Sequence, residues 1–177
     1  MGDPSGRVWI SYNGEVYNFV ELRDRLEALG YAFRTRSDTE VVLAAYVTWG
    51  DAFVSELVGM FAIALWDGRD RSLLLVRDRL GIKPLHWAAL GDRFLFASEL
   101  KGILAAGGVP RELDLEALDG YLGHDYIAAP RTVFRDVRKL EAGHLMRVRL
   151  AAGALEVEAP RAYWDVPVEV ATLSDAA

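Results

Sequence analysis

The sequence predicts an α+β fold whose sheets are built largely from antiparallel strands, with helices laid on a face. Short apolar runs recur at residues 7–12, 60–66, 72–76, 85–90 and 93–97. Their length and composition are those of strands. The runs from residue 60 onward are joined by hairpin-short connections around Asp67-Gly68-Arg69-Asp70-Arg71 and Gly91-Asp92, which leave no room for parallel crossovers. Between and after them lie segments of helical period, each opened by an Asn, Ser or Asp in a capping position.

The chain has 177 residues, of which 52% are hydrophobic and 26% charged, enough for one domain, or one domain with an appendage, around a substantial core. A net charge of −6 without a basic face argues against nucleic acid as a partner. No apolar run has the length of a membrane span and no signal-peptide pattern opens the chain, so the expected setting is the cytosol. There is no cysteine, which excludes disulfides, thiolate metal sites and a cysteine nucleophile within these residues. His86, His124 and His144 stand far apart without ligand spacing, and no metal site is expected.

Residues 7–12 alternate Val8, Ile10 and Tyr12 against Trp9 and Ser11, a strand that ends on Asn13-Gly14. Asn-Gly after an alternating strand is a strong hairpin signal. The residues behind it argue otherwise. Asn18 and Glu21 have the N-cap to N3 spacing of a capping box, so a helix is expected to follow to Leu29 and stop at Gly30. The Asn-Gly pair then joins a strand to a helix. There the Asn side chain is a neutral donor, and a glycine free to take positive φ lets its amide point into a cleft. Two converging donors are what a developing oxyanion needs.

After a short extended piece at 31–36, Ser37 and Glu40 repeat the box spacing ahead of a helix that runs to Gly50. Asp38 in its first turn has two readings: a carboxylate that complements the helix dipole, or one that holds a substrate ammonium group. The near-continuous hydrophobicity of 60–66 and 72–76 predicts strands covered on both faces. The charged run Arg77-Asp78-Arg79 before Gly81 predicts an ion-pair corner that organises a loop. A helix is expected from Ser98-Glu99 to Ala106, and another over 114–123 capped by Asp114. Strands at 144–150 and 155–159 should pair across Gly153. Residues 111–164 as a whole predict an arm whose closing aromatics, Tyr163 and Trp164, need a cover from elsewhere.

Five motifs occur in one order: Asn13-Gly14-Glu15-Val16-Tyr17-Asn18, Ser37-Asp38-Thr39-Glu40, Gly59-Met60-Phe61-Ala62 with Leu65-Trp66-Asp67, the segment Arg77-Asp78-Arg79-Leu80-Gly81-Ile82-Lys83-Pro84-Leu85, and Phe96-Ala97-Ser98-Glu99-Leu100-Lys101. Together they closely resemble the glutaminase half of glutamine-hydrolysing asparagine synthetase over nearly the whole chain. The resemblance implies an N-terminal-nucleophile hydrolase-like fold, a four-layer αββα sandwich of antiparallel sheets. It also implies a class II amidotransferase chemistry, in which an N-terminal Cys releases ammonia from L-glutamine. A synthetase half then uses that ammonia, with ATP and Mg2+, to amidate aspartate. By match of motif, Asn13 (side chain) and Gly14 (amide) are the expected oxyanion hole. Glu15 is expected in the glutamine pocket, and Asp38 on the substrate α-ammonium.

Two features depart from that family. Twelve residues precede Asn13, with no Cys among them, and no Ser-Gly-Gly-x-Asp-Ser pyrophosphate loop follows. The resulting expectation is a piece shortened at both ends: a partial glutaminase domain over 1–110, then a linker and the start of the synthetase region over 111–177. Such a piece would have no cofactor of its own and no activity alone, with an incomplete pocket and a tendency to self-associate through uncovered sheet. The alternative is a non-catalytic glutamine-binding module, or a partner subunit completed in trans.

Overall fold

The computed structural model describes residues 1–166, so the thin tail expected over 167–177 lies outside the described residues. The chain begins with β1 (Val8–Val16), followed by α1 (Phe19–Ala28), α2 (Asp38–Trp49) and the one-turn α3 (Phe53–Glu56). Then come β2 (Gly59–Asp67), β3 (Ser72–Arg77), β4 (His86–Leu90), β5 (Arg93–Ala97), α4 (Leu100–Ala105) and α5 (Leu115–His124). The last elements are β6 (Arg138–Lys139), β7 (His144–Ala151), β8 (Ala154–Val157) and β9 (Arg161–Ala162). All pairings are antiparallel. The main sheet has the order β1-β2-β3-β7-β8 with β9 also on β7, and a second sheet has the order β5-β4-β6.

The alternation along β2 builds the layers. Phe61, Ile63 and Leu65 point to one face, where they join Leu22 and Leu26 of α1 and the wholly buried Val41–Ala45 stretch of α2. Ala62 and Ala64 point to the other face, where with Leu75, Met146 and Val148 they meet Leu85 and Leu140. Small residues on that side bring the two sheets close. Ile103 of α4 closes a third cluster with Ala88 and Val137 on the far side of the second sheet. The described elements therefore stack as helix, sheet, sheet and helix, and both long apolar strands are covered on both faces as expected. Among the described residues no helix is long and apolar enough to cross a membrane.

Several local expectations are corrected. Asn13-Gly14 forms neither a hairpin turn nor a strand-to-helix turn. Both residues lie inside β1, paired with Ala62 and Phe61, and Gly14 is not among the positive-φ glycines. Its lack of a side chain serves close approach instead. A Cβ there would overlap the Met60 carbonyl oxygen and lie 2.7 Å from the Phe61 Cα. Gly59, opposite Val16, is packed in the same way. The α1 capping box does not form either. Asn18 makes no side-chain cap bond; its Nδ2 donates to the Glu56 carbonyl at 2.9 Å and its Oδ1 accepts from the Val58 N–H at 3.0 Å. It ties the start of α1 to the entry of β2.

At α2 half of the expected box exists: Ser37 Oγ accepts from the Thr39 N–H at 3.1 Å. Glu40 turns away from the cap to the 34–35 segment, where its carboxylate, 1% exposed, accepts from the N–H groups of Arg34 and Thr35 and from the Thr35 hydroxyl. Burial works against its charge, but these donors and the Arg34 guanidinium outweigh it and hold the carboxyl below the usual range. A carboxyl lowered in the folded state stabilises fully above its unfolded value, and that contribution is lost as pH falls through the folded value. We expect thermal stability to drop as pH is lowered below about 4.5, the ordinary value for this group. A pH series of melting curves should show a shallower acid limb in Glu40→Gln; an unchanged limb would refute the assignment.

The corner at 77–83 organises its loop without ion pairs among Arg77, Asp78 and Arg79 in the described residues. The Arg77 guanidinium donates to three carbonyls, those of Lys83, Leu140 and Gly81. The fully buried Asp78 accepts backbone N–H groups. The arm expected over 111–164 is not separate from the sheets. β7 pairs along β3, its Leu145, Met146 and Val148 are buried in two of the clusters, and β6 pairs with β4. The main sheet thus crosses the division expected at residue 110. Tyr163 is covered by the core and donates to the Arg77 carbonyl at 2.8 Å.

Candidate functional site

β1 is an edge strand of the main sheet. Along its free edge, Val8 and Ile10 are met by the start of the chain: the Asp3 N–H donates to the Val8 carbonyl, and Met1 and Ile10 exchange bonds. Further along the same edge, the Val16 N–H donates to Asp38 Oδ2 at 3.1 Å. Antiparallel pairing sends the N–H and C=O of every second residue to the same side. The Gly14 N–H therefore also points off this edge, into a hollow of about 330 Å³ lined by Gly14, Glu15, Phe19, Arg36, Ser37 and Asp38.

Three of the four residues expected from sequence, Gly14, Glu15 and Asp38, come together here. The N-terminus of α2, fixed by the Ser37 cap, delivers Asp38 to the edge. Its two oxygens differ. Oδ2 accepts from the Tyr12 hydroxyl at 2.7 Å and from Val16, whereas Oδ1 has only longer contacts to the Ser37 and Thr39 hydroxyls at 3.5 and 3.4 Å. Burial, and then the hydrogen bond to and charge of Asp38, push the Tyr12 phenol far above its usual range, so it stays a donor. Oδ1 is thus the carboxylate oxygen left to meet a cationic group. Helix-dipole complementation and ammonium binding are compatible at this position, because the first holds the carboxylate in place for the second.

Asn13 is not brought into this hollow. Ser11 and Asn13 face the second sheet, and Asn13 lines a separate cavity of about 170 Å³ with Ser11, Ala62, Ala64, Leu85 and Ser98 among its walls. Its Nδ2 donates to Ser98 Oγ at 3.0 Å. Sequence reasoning missed Tyr12, Ser98 and Arg36. The first two join Asp38 and Asn13 across 26 and 85 residues of chain, separations no local pattern reports. Arg36 makes no ion pair among the described residues, and it adds a positive pole to a hollow with two carboxylates. Among the described residues no three His, Asp or Glu side chains converge as a metal site would require.

Comparison with known proteins defines the family of the chain. Residues 1–164 match the family model described as a glutamine amidotransferase domain, and the chain belongs to that family. It is a class II domain, similar to the N-terminal region of glutamine-hydrolysing asparagine synthetases. It is 43% identical over 141 residues to asparagine synthetase (glutamine-hydrolyzing) 1 of Bacillus subtilis (strain 168), covering 80% of this chain and 22% of the relative. It is 34% identical over 164 residues to amidase chyE of Penicillium rubens, covering 93% and 23%. The chain therefore spans about a fifth of the length of these relatives. Among solved structures, the glutamine phosphoribosylpyrophosphate amidotransferase of B. subtilis shares the fold with a TM-score of 0.57 at 20% identity, over 89% of this chain and 30% of that one.

Proposed function

We propose that this chain binds L-glutamine and holds its side-chain amide, as the glutaminase part of an asparagine-synthetase-type amidotransferase. The observation that carries the reading is the convergence on one hollow of the Gly14 N–H, Glu15 and Asp38, whose Oδ1 has only the longer contacts to the Ser37 and Thr39 hydroxyls. In this reading Asp38 grips the α-ammonium, Glu15 contributes to the pocket wall, and Gly14 donates its N–H to the amide oxygen as negative charge develops on it. Asn13 reaches that oxygen from the adjoining cavity with the Nδ2 hydrogen that Ser98 leaves free. The four-layer αββα sandwich of N-terminal-nucleophile hydrolases is the architecture we assign to the stack of layers. Ammonia would pass to a synthetase region that uses ATP and Mg2+ to amidate aspartate in the cytosol. The pocket itself needs no cofactor.

With no cysteine among the 177 residues, the thiolate that attacks the amide has to come from outside them. This favours completion by a further segment or in trans. The purified chain is expected to release no glutamate from glutamine, and robust turnover would overturn that part of the reading. Binding is tested by calorimetry with glutamine. Asp38→Asn keeps an acceptor for Tyr12 and Val16 but turns a donor toward the ammonium, and about a tenfold or greater loss of affinity is expected, as for a hydrogen bond to a charged group. Asp38→Ala should lose at least as much. Binding that survives both substitutions would show that the ligand does not sit on Asp38.

A further inference from the structure

We infer that Ser98 is a positioning residue for Asn13, holding the side-chain amide from the opposite sheet. The inference rests on the proposed role of Asn13 as an amide donor and goes beyond it. Asn13 projects from an edge strand and is itself exposed. The side chains around it in the inter-sheet cavity are mainly small or apolar, with Ala62, Ala64, Leu85 and Ala97 among them. The bond from its Nδ2 to Ser98 Oγ is the side-chain contact that joins it to the second sheet.

Ser98 is itself well anchored. It follows directly on the last ladder pair of the second sheet, His86 with Ala97. It is followed by Glu99, the extended residue that starts α4. The His86 Nδ1 lies 3.1 Å from the Ser98 carbonyl oxygen. A carbonyl only accepts, so that nitrogen carries the hydrogen. Burial, together with the Lys139 and Arg77 charges, lowers the His86 pKa, so near neutral pH the ring is the neutral Nδ1–H tautomer. The chain His86–Ser98–Asn13 thus runs from the second sheet to the edge of the first. One Asn13 N–H is committed to Ser98, and the other is left for a ligand oxygen. An amide with one committed N–H loses less freedom on binding than one that rotates free.

The test uses the 15N-labelled full chain, with the Asn13 side-chain signals assigned through their loss in Asn13→Ala. In Ser98→Ala the two Asn13 amide proton signals should move toward each other and exchange faster with water, and glutamine affinity should fall roughly two- to tenfold, the range for one net hydrogen bond. Ser98→Thr keeps the hydroxyl and should restore both readouts. Melting temperatures of the three chains exclude a general loss of structure. Asn13 signals unmoved by Ser98→Ala would overturn the inference, as would equal glutamine affinity in all three chains. If the parent chain binds no glutamine, the glutamine reading falls, while the Asn13 signals still decide whether Ser98 holds the amide.

Discussion

Replacing Asp78 by alanine is expected to cost roughly 3–5 kcal/mol, a large share of the 5–15 kcal/mol that stabilises an ordinary domain. Asp78 is fully buried. Its Oδ1 accepts from the N–H groups of Leu80 and Ile82, and its Oδ2 from those of Lys83 and Phe61, at 2.9 to 3.3 Å. Alanine leaves these donors without their acceptor in a place water reaches poorly, and each orphan costs about 1–3 kcal/mol before any relaxation. Asn is no remedy, because one of its two ends would present N–H to N–H. Urea unfolding of the parent, Asp78→Ala and Asp78→Asn chains measures the effect, and a loss under about 1 kcal/mol for alanine would refute this account. The Asp78 carbonyl also accepts from the Gly143 N–H at 2.8 Å. The damage should therefore reach the start of β7, where amide exchange would accelerate first.

Gly14→Ala is expected to destabilise by about 3 kcal/mol, the upper part of the usual range for overpacking. The substitution keeps the N–H that the amide pocket would use, so it separates the structural demand at this position from the chemical one. The new methyl has no room, since its neighbours are the backbone atoms of Met60 and Phe61 rather than the end of a flexible side chain. To make space, β1 must lift away from β2 at Gly14. Gly59→Ala should act similarly against Glu15 and Val16. A lowered urea midpoint with faster exchange of β1 and β2 amides is the expected result. A Gly14→Ala chain as stable as the parent would mean that the strands are not as close as described.

The two substitutions mark what was legible in the sequence at two levels. Apolar runs, hairpin-length connections and cap residues place most strands and helices, because each is a local preference of a few adjacent residues. Asn13-Gly14 misled for the same reason. As a dipeptide it prefers a turn, yet β2 supplies nine paired residues along β1, and a ladder of that length outweighs a local preference. The capping box at Asn18 failed likewise, because Glu56 and Val58 offered that side chain better partners. The alternating charges at 77–79 suggested mutual ion pairing, whereas the tertiary fold gave both Arg77 and Asp78 backbone partners.

The site divides in the same way. The order of all five motifs was enough to identify the glutamine amidotransferase family, and that resemblance, not the local chemistry of the residue, singled out Asp38. The lack of cysteine was equally plain from composition. Only the tertiary structure decided that Gly14, Glu15 and Asp38 share a hollow while Asn13 reaches across to the second sheet. That outcome depends on the twofold alternation of an edge strand, which sends a side chain to one face and the next N–H off the edge. It depends also on contacts such as Tyr12 with Asp38 and Asn13 with Ser98, which packing alone brings within hydrogen-bonding distance.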